Sequence, residues 1–317
     1  MNESNEKNNK ILSALKFPLN FWITILLVCS LFLVVGFLPF NSSTATVEAE
    51  TDAETEAETT IVENPVLGVI NVKGGDMLER DIIPQISKVF SLSQEDVKKT
   101  LAAANSNTLI NPAIKDFRRM EGMIPPGEYE ITQDITLEKE MSTWVEESEK
   151  RYNKILSSNT SSNNLTPQKQ LSLAAMVEAE CLSGTHQNEV ATVFLNRLAS
   201  NTKLQSCVTA EYALGYQRPF LTTEDTKKVS DYNTYNVAGL PVGPICTISD
   251  ASLQAAMIKK MDSKISFFYY DYILNDMFFF DDYKKFQKDG AAAQKNFEQK
   301  SKIDKHAQIN KQTTYKK

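Results

Sequence analysis

Read for its spacing of apolar and polar positions, the chain divides into segments of different character. Residues 1–16 are polar, and no charged residue occurs from Phe17 to Phe40. Within that span, Phe21–Leu38 is long enough to cross a bilayer, which takes ~20 apolar residues; a transmembrane helix is predicted over 17–40. Residues 41–65 turn to Ser, Thr, Ala and Glu, with Glu48, Glu50, Asp52, Glu54, Glu56 and Glu58 in near alternation. Such a segment has little apolar area to bury and reads as an acidic disordered linker. Val66–Val72 reads as a strand and Gly74-Gly75-Asp76 as a turn. Two short helices follow over Leu78–Phe90 and Ser93–Ala104, the second capped by Ser93, and Glu121–Ile131 reads as a turn leading into a strand. These form a small module over 66–142, followed at 143–165 by a helix carrying Trp144 and a Ser/Asn-rich linker.

A larger module is predicted over 166–300. Leu171–Leu182 has helical spacing, with Thr166 as cap, Pro167 at the first helical position and Gly184 as stop. It carries two candidate stripes, one through Leu171, Ala174, Ala175, Glu178 and Leu182, the other through Leu173, Met176, Val177, Glu180 and Cys181. His186–Ser200 is a second helix, and 204–215 is helical in its second half. Residues 231–245, dense in Gly, Pro and Asn, read as a loop. Ser249 caps a helix through Met261; Phe267–Ile273 and Met277–Phe280 pair as a hairpin around Leu274-Asn275-Asp276. The tail at 301–317 is polar and Lys-rich and reads as disordered. The fold class is α+β: one N-terminal membrane helix, a small α+β module and a larger mixed α/β module.

Composition narrows the chemistry. With 317 residues and 42% hydrophobic content, the chain can bury a substantial core in one or two domains. A net charge of −6 argues against a nucleic-acid partner, which would need a basic face. His186 and His306 are the only histidines, and no Cys-x-x-Cys occurs, so neither a metal nor another cofactor is expected. Lys7, Lys10 and Lys16 precede the apolar run and no Lys or Arg follows until Lys73. This bias sets the N-terminus in the cytoplasm and the rest outside the cell membrane. A cleaved signal peptide is the other reading; the length of the run and the lack of a small-x-small site after it favour an uncleaved anchor.

Glu178 and Glu180 interrupt the apolar helix near its end. Two residues apart is about 200° of helical rotation, so they point to roughly opposite sides and at most one faces a cleft. Apolar neighbours raise a carboxyl pKa, and a Glu still protonated at neutral pH can act as a general acid. On spacing alone, both could equally be solvated side chains of an ordinary amphipathic helix.

The β-α-α-β order of 66–142, with Gly-Gly-Asp after its first strand, resembles a LysM-like module, a family that binds N-acetylglucosamine-containing glycans. A packing domain without a ligand is the alternative. Four further pieces, Ala174–Glu180, Val193–Leu198, Leu204-Gln-Ser206, and Tyr232–Tyr235 with Gly239–Pro244, resemble in this order the YceG-like endolytic lytic transglycosylases of bacterial peptidoglycan. The resemblance implies cleavage of the β-1,4 bond between N-acetylmuramic acid and N-acetylglucosamine to leave 1,6-anhydro ends, which would terminate strand elongation. It makes Glu180 the catalytic acid and Glu178 an orienting neighbour or substrate contact. Tyr232, Asn233 and Tyr235 become a cleft-lining loop, with Asn196, Arg197 and Gln205 as supporting polar residues. Plainer roles stand beside these: Arg197 pairing with Glu189 or Glu178, Asn233 shaping the loop, the tyrosines as core. The implied partners are peptidoglycan strands, the membrane and peptidoglycan synthases. Where the family commonly has Asp-Pro, this chain has Cys207-Val208, and Met277 and Phe286 stand near the places of the family's hairpin histidines. These departures keep open a glycan-binding scaffold without catalysis, and a hydrolytic muramidase is the other rival. Cys207 and Cys246, in neighbouring motifs on the outer side, are expected to pair as a disulfide, with two free thiols the alternative.

Overall fold

A computed structural model of the protein describes residues 64–105, 107–158, 163–181, 184–258, 263–303 and 313–314. These lie in one compact unit, Val62–Lys317. The predicted anchor at 17–40, the tail 1–16 and nearly all of the linker fall outside the described residues. Among those described, no helix is long and apolar enough to cross a membrane.

Strand β1 (Val66–Val72) leads through the Gly-Gly turn and a π-helical turn at Leu78–Ile82 into α1 (Ile83–Phe90) and α2 (Gln94–Ala102), and β2 (Gly127–Thr132) returns. β1 and β2 are antiparallel, with Ile70 opposite Tyr129 and Val72 opposite Gly127. The order is the β-α-α-β read from the sequence, and Ser93 caps α2 as expected, its hydroxyl accepting from Asp96 N at 3.1 Å. A long α3 (Leu137–Ser158) crosses to the rest of the unit. Trp144 and Tyr152 on its inner face are both 0% exposed, and the Tyr152 hydroxyl donates to Gly122 O at 2.5 Å.

The second part comprises α4 (Pro167–Glu180), α5 (Gln187–Ala199), α6 (Cys207–Leu214), β3 (Tyr216–Gln217), α7 (Asp250–Met257), the hairpin β4 (Phe267–Asp271) and β5 (Asp276–Phe280), α8 (Tyr283–Ile303), and β6 (Thr313–Thr314) paired with β3. The hairpin register sets Phe267 against Phe280 and Asp271 against Asp276. Helix α4 differs from expectation. It stops at Glu180, two residues before the predicted end, because Cys181 leaves helical geometry at φ −92°, ψ 63°. It is also not two-faced: every residue from Gln170 to Val177 is buried. The two stripes merge because α5, α6 and α7 all pack against it, the arrangement of a helix apolar all round. Likewise α7 ends at Met257 and not Met261. Helix α8 is not among the expected elements, although Asp282 caps its start, accepting from Lys285 N at 2.7 Å, and Ala, Gln, Lys and Glu fill it; Phe286 seats it on Phe267 of the hairpin, ring centroids 5.4 Å apart.

The first strand's turn is sewn to the second part by backbone bonds, Gly75 N to Thr247 O at 2.9 Å and Thr247 N to Asp76 O at 2.7 Å. Buried Glu121 adds a second tie, accepting from Leu78 N at 3.0 Å and from the Tyr212 hydroxyl at 2.8 Å. Gly122 beside it has φ +74°, and a Cβ there would stand 3.0 Å from Pro244 Cβ and 3.3 Å from Cys246 O. Gly75 has φ +84° but open space around it. Left-handed backbone alone costs an L-residue roughly 1–2 kcal/mol. Gly75→Ala is therefore expected to lower stability by about that much and Gly122→Ala by clearly more, as read by chemical denaturation of the two variants side by side.

Candidate active site

Glu180 ends α4 where the helix meets the start of α6. Its Oε1 accepts a 2.7 Å hydrogen bond from the Ser206 hydroxyl. Ser206 is held in turn: its N–H donates to Thr234 Oγ1 at 3.0 Å, and its carbonyl accepts from Thr209 Oγ1 at 2.7 Å. Thr209 and Thr234 hydroxyls lie 2.8 Å apart. Since the Thr209 proton is committed to Ser206 O, the shared proton belongs to Thr234. The preceding Gln205 takes φ +49° and gives its N–H to Thr234 O at 3.2 Å. This small lattice fixes the 232–235 loop against the head of α6 and aims the serine at the carboxylate.

The residue is part-buried, and burial pushes its carboxyl up to about 7, against the Ser206 hydrogen bond and the charge of Arg197, which both favour the carboxylate. A second acid stands nearby that the sequence reading missed. Glu211 on α6 is 7% exposed and accepts from Arg218 N at 3.1 Å. Its carboxyl also reaches about 7, raised first by burial and further by the charge of Glu180, with Arg80 and Arg218 opposing. Repulsion between two carboxylates is reciprocal, so whichever ionises first holds the proton on the other. No sequence spacing links positions 180 and 211; the packing of α6 on α4 brings them into range.

Other predicted site residues take varied places. Arg197 pairs with neither Glu189 nor Glu178. Its Nε donates to Ser266 O at 2.7 Å and Nη1 to Leu204 O at 2.6 Å, which ties α5 to the hairpin and to the strand of chain leading to Ser206. Asn196 donates to Ser263 O and Ile265 O at 3.0 and 2.7 Å and so braces the chain leading into the hairpin. Asn233 is fully buried. Its amide donates to Thr226 O and Lys228 O, and its Oδ1 accepts from Tyr235 N at 3.0 Å, the loop-shaping role. Tyr232 is core: it packs on Tyr212 at 4.8 Å beneath Arg118 and borders a separate cavity with Ile114 and Ser230. Tyr235 does reach the site, half-buried, its hydroxyl 3.3 Å from Cys207 Sγ and within electrostatic range of Glu180 and Arg197. Gln205 is exposed beside it.

Glu178 faces elsewhere, in keeping with the 200° of rotation. Its Oε2 accepts from Ser249 N at 3.1 Å and from the Ser249 hydroxyl, which secures the N-terminus of α7. A side chain on Gly74 would strike its Oε1. It borders a cleft of about 350 Å³ with Gly75, Arg80, Cys181 and Gln217. The expected Cys207–Cys246 disulfide is not formed; both thiols are free. Cys246 is fully buried under α4, its Sγ 3.3 Å from Ala175 O, whereas Cys207 opens α6 at the surface beside Tyr235. Neighbouring motifs in the sequence lie here on different layers. Met277 and Phe286, near the family's histidine places, are apolar packing residues. Among the described residues no cluster of His, Cys, Asp or Glu could hold a metal ion.

The chain is similar to the endolytic murein transglycosylase of Bacillus subtilis (strain 168), with 27% identity over 180 residues, 56% of this chain and 49% of that protein. Similarity to the endolytic murein transglycosylase of Streptococcus pneumoniae (strain R6) is 26% over 231 residues, 65% of this chain and 41% of the relative. The chain thus spans less than half the length of these curated relatives. A 2.6 Å crystal structure of a putative YceG-like protein from Listeria monocytogenes superposes with a TM-score of 0.61 at 26% identity, covering 69% of this chain and 75% of that one. The YceG-like family profile matches residues 48–293, most of the chain and all of the site just described, and the protein belongs to that family.

Proposed function

We propose that this protein is an endolytic murein transglycosylase that cuts the β-1,4 MurNAc–GlcNAc bond within nascent glycan strands and leaves 1,6-anhydro ends, terminating elongation. The observation that carries the reading is the enclosure of Glu180 at the end of a buried helix, with a proton retained to about neutral pH. The protonated carboxyl donates to the leaving glycosidic oxygen. The resulting carboxylate accepts the proton of the sugar's C6 hydroxyl as that oxygen closes on C1, so the acid is restored in one turnover. Ser206 steadies the carboxylate between the two transfers, as a hydroxyl donor favours the charged form. Transglycosylation needs no second carboxylate to activate water, unlike hydrolysis by a paired-acid glycosidase. Glu211, held protonated by burial and by the charge of Glu180, then has no nucleophile to deliver.

Residues 17–40 anchor the protein in the cell membrane with residues 1–16 in the cytoplasm, and the acidic linker lets the body reach the wall from outside. Residues 66–142, read as LysM-like, carry the Gly-Gly turn that lies against Glu178. Peptidoglycan synthases of the elongation or division machinery are the natural partners of an enzyme acting on new strands.

The deciding experiment is incubation with purified glycan strands and mass spectrometry of the new termini. Anhydro ends support the proposal; reducing ends indicate a muramidase; binding without new ends indicates a scaffold, the reading favoured by Cys207 and the missing histidines. Glu180→Gln is expected to lower turnover by about 10²–10⁴-fold, the usual worth of a general acid. The same variant is expected to gain stability over the wild type as pH rises from about 4.5 through about 7. Across that window the folded wild type resists ionising a carboxyl that the unfolded chain ionises freely, whereas Gln does not titrate; urea midpoints at pH 5 and pH 8 read the difference. Activity should fall above about pH 7 as Glu180 loses its proton. Ser206→Ala removes a donor to the carboxylate and is expected to move that alkaline limb upward by about one unit while lowering kcat, as measured in pH–rate profiles.

A further inference from the structure

The β4–β5 hairpin alternates aromatic side chains on both faces. On one, Phe267, Tyr269 and Phe280 pack with Phe286 of α8. On the other, Phe268 packs on Phe194 of α5 at 5.8 Å, and Tyr270 and Tyr272 continue the row toward the hairpin tip. Tyr272, just beyond β4, keeps 39% of its surface open. Three separate elements nevertheless brace its ring: Tyr270 at 5.1 Å and 80°, Phe220 from the segment after β3 at 5.8 Å and 76°, and Phe297 from α8 at 5.2 Å. Phe220 and Phe297 also touch each other at 5.6 Å.

The tip is fixed as well. Asp271 Oδ1 accepts from Ile273 N and Leu274 N at 2.8 and 3.0 Å, and the Tyr270 hydroxyl donates to Asn275 Oδ1 at 2.6 Å. An open aromatic ring at a hairpin tip is ordinarily free to turn; this one is held. It also stands against Pro219, whose neighbour Arg218 gives its N–H to Glu211 at 3.1 Å, and within electrostatic range of Glu180, Glu211 and Cys207, the head of the candidate site. Its hydroxyl makes only a long 3.4 Å bond to Pro219 O, so the ring and not the hydroxyl is what the site presents.

We propose that Tyr272 is a sugar-stacking residue of the glycan groove, a pre-set aromatic surface on which one pyranose ring of the strand lays its C–H face next to Glu180. Phe220, Tyr270 and Phe297 are its brace. A rigid aromatic contributes large apolar contact at little entropic cost, and pyranose faces rich in C–H are the part of a glycan that such a surface fits. The assignment rests on the glycan substrate proposed above and adds the residue that seats it.

The test uses the full-length protein in detergent and purified, peptide-free MurNAc–GlcNAc strands. Tyr272→Ala is expected to raise KM about tenfold with kcat changed by less than about twofold, the signature of lost ground-state binding. Tyr272→Phe, which keeps the ring, should stay within about twofold of wild type, and Tyr272→Leu, which keeps apolar bulk without a ring face, should resemble Ala. Strand binding by Glu180→Gln, measured calorimetrically with and without Tyr272→Ala, separates seating from chemistry. Unchanged KM and binding in Tyr272→Ala overturn the proposal, as does a joint fall of kcat and melting temperature that Phe does not restore. If the wild type binds strands without cutting them, the transglycosylase reading fails, and loss of that binding in Tyr272→Ala still supports the stacking role.

Discussion

Everything in the site depends on keeping a carboxyl half out of water at the end of a helix that has no wet face. Helix α4 is surrounded by α5, α6 and α7, and from Gln170 to Val177 nothing on it reaches solvent. Beyond this stretch the last turn is only partly covered, so Glu180 inherits the apolar surroundings of the helix without being sealed in. Full burial would deny it a substrate, and full exposure would strip its proton at neutral pH. The last turn of a buried helix is where both conditions can be met.

Such a residue needs its surroundings held still, and most of the polar groups near it are employed for that. Ser206 touches the acid; Thr209 and Thr234 hold Ser206; Asn233 shapes the loop that carries Thr234; Arg197 collects carbonyls from the chain before Ser206 and from the hairpin. The general-acid role proposed for Glu180 would call for such support, since small displacements of a proton donor are costly in rate. On the far side of α4, Glu178 secures the cap of α7 and abuts the Gly-Gly turn of the first module. That contact, with the Thr247 backbone pairs, explains why residues 66–142 form one body with the rest.

The sequence by itself determined a good deal. Local signals marked the capped helix starts at Thr166, Ser93 and Ser249, the strand–helix–helix–strand order of the first module, and the aromatic hairpin, because capping, turn chemistry and apolar runs are properties of neighbouring residues. The opposite facing of Glu178 and Glu180 followed from helical rotation alone. Tertiary structure decided what each of them meets, Ser249 for Glu178 and Ser206 for Glu180, and it brought Glu211 within electrostatic range of Glu180 across two helices that no spacing connects. It also turned Tyr232 and Asn233 into core and loop supports, and it put Cys207 and Cys246 on separate layers although their motifs adjoin. Those outcomes depend on which face each element buries, a question that a chain answers only when distant segments compete for the same core.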